Sequence, residues 1–212
     1  MDNKFVNKIR EKVQPYFRDQ GGHGFDHTQR VYNIAMEISE EENVDNEIVA
    51  LAVLFHDSAR LMEASGECDD HSEEGAKIAE KVLKEENYPE DKIQNIKHCI
   101  AVHRYSKKLE PKTKEARILQ DADRLEALGA ICVARVFTYN GLHKIPLYDP
   151  WLEPEKEYHG QHTTAINHFY EKILKIKPET FHTSRAKEIA KGRYDFVVKF
   201  LEQFKSEWEG KR

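Results

Sequence analysis

The sequence predicts an all-α fold, and three observations predict it. Apolar residues recur at i, i+3, i+4 and i+7 along most of the chain, the period of a helix with one buried face. Alternation at period two, the mark of a half-buried strand, is nearly absent. Glycine, proline and short polar clusters punctuate the periodic segments as helix starts and stops.

The elements follow in order. Residues 3–18 form a first helix with Phe5, Ile9, Val13 and Phe17 on one stripe, and Pro15 bends its last turn. Gly21-Gly22-His23-Gly24 forces a loop. A second helix covers 26–42, with Val31, Ile34, Ala35 and Ile38 inward and His27 one turn before Val31. The third, 46–56, carries Ile48, Leu51, Ala52 and Phe55 and is apolar nearly all round, so it is central and buried. Residues 61–71 read as a loop, and Ser72 as the cap of a fourth helix with Ile78, Ala79, Val82 and Leu83 inward. A fifth helix starts at Pro89 and runs to about 104. A sixth covers 114–138, with Ile118, Leu119, Leu125, Leu128 and Ile131 inward. Residues 139–161, rich in Gly, Pro, Tyr and charge, read as a long loop or lid, and helices over 163–176 and 183–208 close the chain. The helices pack around a central pair in one domain spanning 1–212, with a core at 20–135 and a helical extension over 139–208.

Composition excludes several classes. The chain has 212 residues, 33% of them charged, and a net charge of −5 with both signs interspersed. No basic stripe offers a nucleic-acid footprint. No run of 18 apolar residues spans a membrane, and the N-terminus lacks the apolar centre of a signal peptide. Cys68, Cys99 and Cys132 are too few and too scattered for a disulfide frame or zinc knot, and read as reduced thiols of a cytoplasmic protein. No GxGxxG or Walker loop is present, and no cysteine has a protease-like context. The oligomeric state is unknown from sequence.

Eleven histidines give the first hint of metal chemistry. His56 and Asp57 break an apolar run, Val53-Leu54-Phe55, where packing should continue. They either end a helix at the surface or turn inward to hold something. Adjacent side chains on a helix diverge by roughly 100°, so such a pair can straddle an ion over the helix end. With His27 and Asp123 they make two imidazoles and two carboxylates, a set suited to Mn²⁺, Fe²⁺, Zn²⁺, Co²⁺ or Ni²⁺, with Mg²⁺ also possible.

The contexts of these residues, GHGFDHTQRV around His27, AVLFHDSAR around His56-Asp57 and LQDADRLEALGA around Asp123, resemble the HD superfamily of metal-dependent phosphohydrolases. The HD dipeptide alone is a weak signal; the three contexts together are a strong one. NHFYEKILKIK and IAKGRYDF near the C-terminus look like the small stand-alone bacterial subgroup.

The resemblance implies an all-α fold with one divalent metal held between helices by His27, His56, Asp57 and Asp123. It implies hydrolysis of a phosphoester or phosphoanhydride of a small phosphorylated substrate, in particular a nucleotide, including cleavage of a nucleoside triphosphate to monophosphate and pyrophosphate. On that reading Asp123 or Asp57 also orients or deprotonates the water, and His71, His103, Arg60 and Arg104 face the phosphate. The sequence departs from many relatives after the HD pair: Ser58 stands where an aliphatic residue is usual, before Ala59 and Arg60.

Other positions are secondary. His98 falls on a different helix face from His103, and Asp121 on a different face from Asp123, where it can orient a histidine or bond Arg124. Arg30 reads as a salt-bridge partner, and His23 and Asp26 as possible proton shuttles. Tyr139 to Tyr158, with Trp151, read as a packed surface segment or as a cover for a base.

Two other functions stay open. His71 and His103 can complete a di-iron site of the kind some HD proteins use to activate oxygen. A non-catalytic nucleotide-sensing module is the third reading, opposed by the presence of all four ligands.

Overall fold

The structure is a computed structural model that describes residues 1–17, 24–156, 160 and 163–211. The glycine-rich segment Gly21-Gly22-His23, with its expected shuttle His23, and Tyr158 lie outside the described residues. Among the described residues the secondary structure is helical, with no strand. No helix is long and apolar enough to cross a membrane. The chain divides into two compact units, Met1–Asp123 and Arg124–Arg212.

The first unit is built on α3 (Asn46–Phe55). Asp45 caps it, its carboxylate accepting from the backbone N–H of Glu47 and Ile48. Every residue from Ile48 to Phe55 is buried, as the all-round apolar pattern requires. α3 packs against α1 (Asn3–Val13), α2 (Phe25–Ser39), α5 (His71–Glu85) and α6 (Glu90–Val102). Pro15 sits in a 3-10 turn, Gln14–Tyr16, that ends α1 earlier than the sequence pattern implied. Fully burying one such aliphatic or aromatic side chain contributes about 1.5–3 kcal/mol. A central helix with six of them, beside the buried Ala50 and Ala52, organises the unit.

Two sequence expectations need correction here. The expected loop at 61–71 contains a helix, α4 (Arg60–Ser65), which Gly66 ends in the left-handed region at φ 78°. The cap of α5 is Asp70, not Ser72: the Asp70 carboxylate accepts from the Ser72 backbone N–H (3.1 Å) and hydroxyl (2.8 Å). His71 is therefore the first residue of α5 rather than part of a loop. Gly75 lets α5 approach the end of α3, because a Cβ there would stand 3.2 Å from the Phe55 carbonyl oxygen.

The expected single helix over 114–138 is two helices, α7 (Lys114–Leu125) and α8 (Gly129–Leu142). Leu128 is extended and Gly129 has φ 83°, a conformation that stops a right-handed helix. Arg193 donates to the Leu125 carbonyl at 2.7 Å and satisfies part of the interrupted end. The break resets the apolar stripe, so Ile131, expected inward, is 45% exposed. α8 also runs to Leu142, which shortens the expected loop at 139–161; within it Trp151 is 91% exposed.

In the second unit α8 packs against α9 (Ala165–Glu171) and α10 (Ser184–Trp208). Phe137, Phe169 and Phe200 meet there with ring centroids 5.9–6.2 Å apart. All three cysteines are free thiols, and burial pushes Cys99 up to about 12 and Cys132 up to about 11.

Candidate metal centre

Two helix ends build most of the site. α3 ends at His56 and α6 at His103, each in the capping position. A helix leaves its last carbonyls without partners, and a capping side chain can satisfy one. Here His56 Nδ1–H donates to the Val53 carbonyl and His103 Nδ1–H to the Ile100 carbonyl, both at 2.7 Å. A carbonyl only accepts, so both Nδ1 atoms carry the proton and both Nε2 atoms face the interior. The same local geometry thus orients two rings from two helices.

Asp57 follows the α3 end and is 3% exposed. Its two oxygens serve different neighbours. Oδ2 lies 3.8 Å from His27 Nε2 and 3.7 Å from His56 Nε2. Oδ1 lies 3.2 Å from His71 Nε2, 3.7 Å from His103 Nε2 and 3.2 Å from Arg60 Nη1. His27 and His56 approach each other through Nε2 at 3.4 Å, and Asp123 Oδ1 stands 3.3 Å from His27 Nε2. The four sequence-predicted ligands therefore come together across 96 residues of sequence. His27, His56 and Asp57 form the tightest set, and Asp123 joins through His27.

The electrostatics suit a cation. Burial pushes His56 down to about 4, so it is a neutral donor at ordinary pH. Burial raises Asp57, but the imidazoles of His56, His103 and His71 and the Arg60 guanidinium outweigh it and hold the carboxyl well below the usual range. Asp123 behaves alike: burial works against ionisation, and the hydrogen bond from His27 overcomes it. Two ionised carboxylates beside the neutral His56 imidazole leave a largely buried negative charge that a cation would offset. Donors around a divalent ion at about 2.1 Å stand roughly 3.0–3.5 Å from their neighbours; here the separations are 3.3–3.8 Å, a little wider. The donor set fits a divalent metal, and His27, His56, Asp57 and Asp123 are the residues that would hold it.

Asp57, His71 and His103 form a second close set on the Oδ1 side. His71, expected to face the site, does so through Nε2, and its Nδ1–H donates to Glu63 Oε2 at 2.7 Å. Arg60 reaches both Asp57 and His71 Nε2, the latter at 3.5 Å. Arg104, expected to meet phosphate, instead donates through Nη1 to Glu63 Oε1 (2.7 Å) and Asp70 Oδ1 (3.2 Å). A basic side chain beside two carboxylates satisfies them before it reaches substrate.

His98 and the Arg30–Asp26 pair have partners of their own. His98 is half-buried, and its Nε2 accepts from the Lys112 backbone N–H at 3.0 Å. Arg30 pairs with Asp26 at 2.7 Å. Asp26, expected as a shuttle, is 60% exposed and held by that pair. Asp121 is fully buried. Glu63 and Asp70 lie in the segment whose sequence reads as a loop, which gives neither a role at the site. The signal available was the Asp-x-Ser spacing of a cap at Asp70.

Comparison with known proteins agrees with the geometry. Residues 24–128 match the HD domain family. YpgQ of Bacillus subtilis is 30% identical over 209 residues, covering 98% of this chain and 95% of its own length. An HD-superfamily hydrolase from Bacillus thuringiensis shares the fold with a TM-score of 0.80 at 32% identity, covering 99% of both chains. The crystal structure of YpgQ in complex with ADP is similar at a TM-score of 0.73 and 28% identity, over 96% of this chain and 95% of that one. With the three sequence contexts and the buried His/Asp cluster, these likenesses mean that the chain belongs to the HD superfamily.

Proposed function

We propose that the chain is a metal-dependent phosphohydrolase that acts on a nucleotide, including cleavage of a nucleoside triphosphate to monophosphate and pyrophosphate. One observation carries the reading: Asp57 has imidazole donors toward one oxygen, and imidazoles with a guanidinium toward the other. The first side is a place for one divalent ion, and the second a place for phosphate oxygens. When bound, the ion supplies Lewis acidity, polarising a phosphoryl oxygen and making a water more acidic.

The chain's own residues do the rest. Arg60, about a third exposed, presents a guanidinium to the incoming anion while it stays on Asp57. His71 and His103 aim Nε2 at the same place; with the proton on Nδ1 each Nε2 accepts from a water or a protonated phosphate oxygen, and donates to phosphate where charge develops only once it has itself taken up a proton. Asp123, the more exposed of the two ligand carboxylates, offers an oxygen that orients the attacking water and accepts its proton. Arg104 supports this arrangement through Glu63 rather than by touching phosphate. The ADP bound to YpgQ supports a nucleotide as the substrate class.

The test is a screen of nucleotides with Mn²⁺, Co²⁺, Ni²⁺ and Mg²⁺. Release of phosphate or pyrophosphate that stops on chelation supports the reading. Tight nucleotide binding without turnover in any metal contradicts it and favours a sensing module. The Asp57–His71–His103 set favours a second reading, a di-iron oxygenase. Two irons per chain in anaerobically purified protein, with oxygen consumption, would establish that reading instead.

A further inference from the structure

We propose that Glu63 is a positioning residue for the site: its carboxylate sets which nitrogen of His71 faces the substrate, and Arg104 and Asp70 set the carboxylate. The proposal rests on the reading of His71 as a phosphate-facing residue.

The ring of a buried histidine can turn either nitrogen to a site, and the partner of the other nitrogen decides which. His56 and His103 are fixed by backbone carbonyls, which no substitution removes. His71 is fixed by a side chain. It is 1% exposed, and its Nδ1–H donates to Glu63 Oε2 at 2.7 Å. That leaves Nε2 at 3.2 Å from Asp57 Oδ1. The backbone N–H of His71 also points at Glu63 Oε1, at 3.4 Å.

Glu63 does not hold this place alone. Arg104 donates to its Oε1 at 2.7 Å and to Asp70 Oδ1 at 3.2 Å. Lys107 pairs with the other Asp70 oxygen, and Asp70 caps the helix that His71 begins. A continuous set of charged contacts thus runs from half-exposed Lys107 and Arg104 to the buried ring. α4 brackets that ring with two residues one turn apart. Arg60 lies 3.5 Å from Nε2, and Glu63 lies 2.7 Å from Nδ1. Residues at i and i+3 share a helix face, which is why one short helix can supply both.

Glu63→Ala removes the acceptor, and Glu63→Gln keeps an amide oxygen in the same place. Histidine-labelled, metal-free protein reports the protonated ring nitrogen by long-range ¹H–¹⁵N NMR. In the wild type and Glu63→Gln, His71 carries its proton on Nδ1; in Glu63→Ala it samples both tautomers. Loss of a supporting carboxylate of this kind reduces activity by about 10- to 100-fold. The fall is expected in kcat of Glu63→Ala, with KM changed less, and Glu63→Gln recovers most of it. Metal content per chain and the circular dichroism spectrum stay as in the wild type. The ring signal decides the claim even for a chain that turns over no nucleotide. Unchanged His71 signals in Glu63→Ala overturn it, as does a Glu63→Gln variant with the altered ring state of the alanine variant.

Discussion

The two sides of Asp57 are built from the same residue types and differ in charge. On the Oδ2 side stand His27 and His56, with Asp123 beyond His27. On the Oδ1 side stand His71 and His103, with Arg60 at 3.2 Å. The first side collects negative charge and offers lone pairs. The second carries a permanent cation, since a guanidinium is not deprotonated in proteins. On the proposed reading the two like donor sets have different uses: one takes an ion, and the other, already partly neutralised by Arg60, receives an anion. A single arginine, one turn after the His56–Asp57 pair, makes the difference.

Removing the shared carboxylate breaks both sides and has the largest effect. Asp57→Ala is expected to lower turnover by about a thousandfold or more and to deplete bound metal. The helical circular dichroism remains, because α3 keeps its apolar faces. Turnover within about tenfold of wild type would separate the reaction from this cluster. Arg60→Ala tests the asymmetry itself. Turnover falls by about 10- to 100-fold, and metal titration detects a second, weaker ion now that the guanidinium is gone. A variant that retains full turnover and binds no additional ion would mean that Arg60 does not distinguish the two sides.

Smaller effects come from farther out. The Asp70 carboxyl lies below its usual range: burial raises it, and Lys107, Ser72 and Arg104 outweigh that. A depressed carboxyl contributes stability that is present above the unfolded value, about 3.9, and lost as pH falls through the folded value. Asp70→Asn keeps the cap but not the charge. It is expected to cost under about 1 kcal/mol at neutral pH, with the difference from wild type fading below pH 4. Denaturant unfolding at both pH values measures this. His98→Ala removes one acceptor for the Lys112 N–H, a loss of about 1 kcal/mol, and leaves turnover and metal content unchanged. A drop in metal content would place His98 in the site against its observed position.

The sequence was most legible where one physical pattern dominated. α3 reads from its unbroken apolar run, and its end at His56 reads from the pair that interrupts that run. The convergence of His27 and Asp123 on the pair did not follow from periodicity; it needed the three motif contexts and the family they resemble. What stayed hidden had local causes. The break between α7 and α8 depends on Gly129 at φ 83°, and isolated glycines inside helical patterns are often tolerated. α4 has no buried residues to give it a stripe, so Glu63 and its bond to His71 could not be read. Arg104 reads by charge as a phosphate contact, while its partners, Glu63 and Asp70, lie 41 and 34 residues away.

The central claim is that one ion belongs to the Oδ2 side of Asp57 and none to the Oδ1 side. Counting bound metal per chain in wild type and His103→Ala, with anomalous diffraction to locate it, tests this most directly. The expected result is one ion in both proteins, beside His27, His56 and Asp57, with turnover of the variant lowered by about ten- to a thousandfold. Two ions bridged by Asp57 in the wild type, falling to one in His103→Ala with all activity lost, would contradict the account.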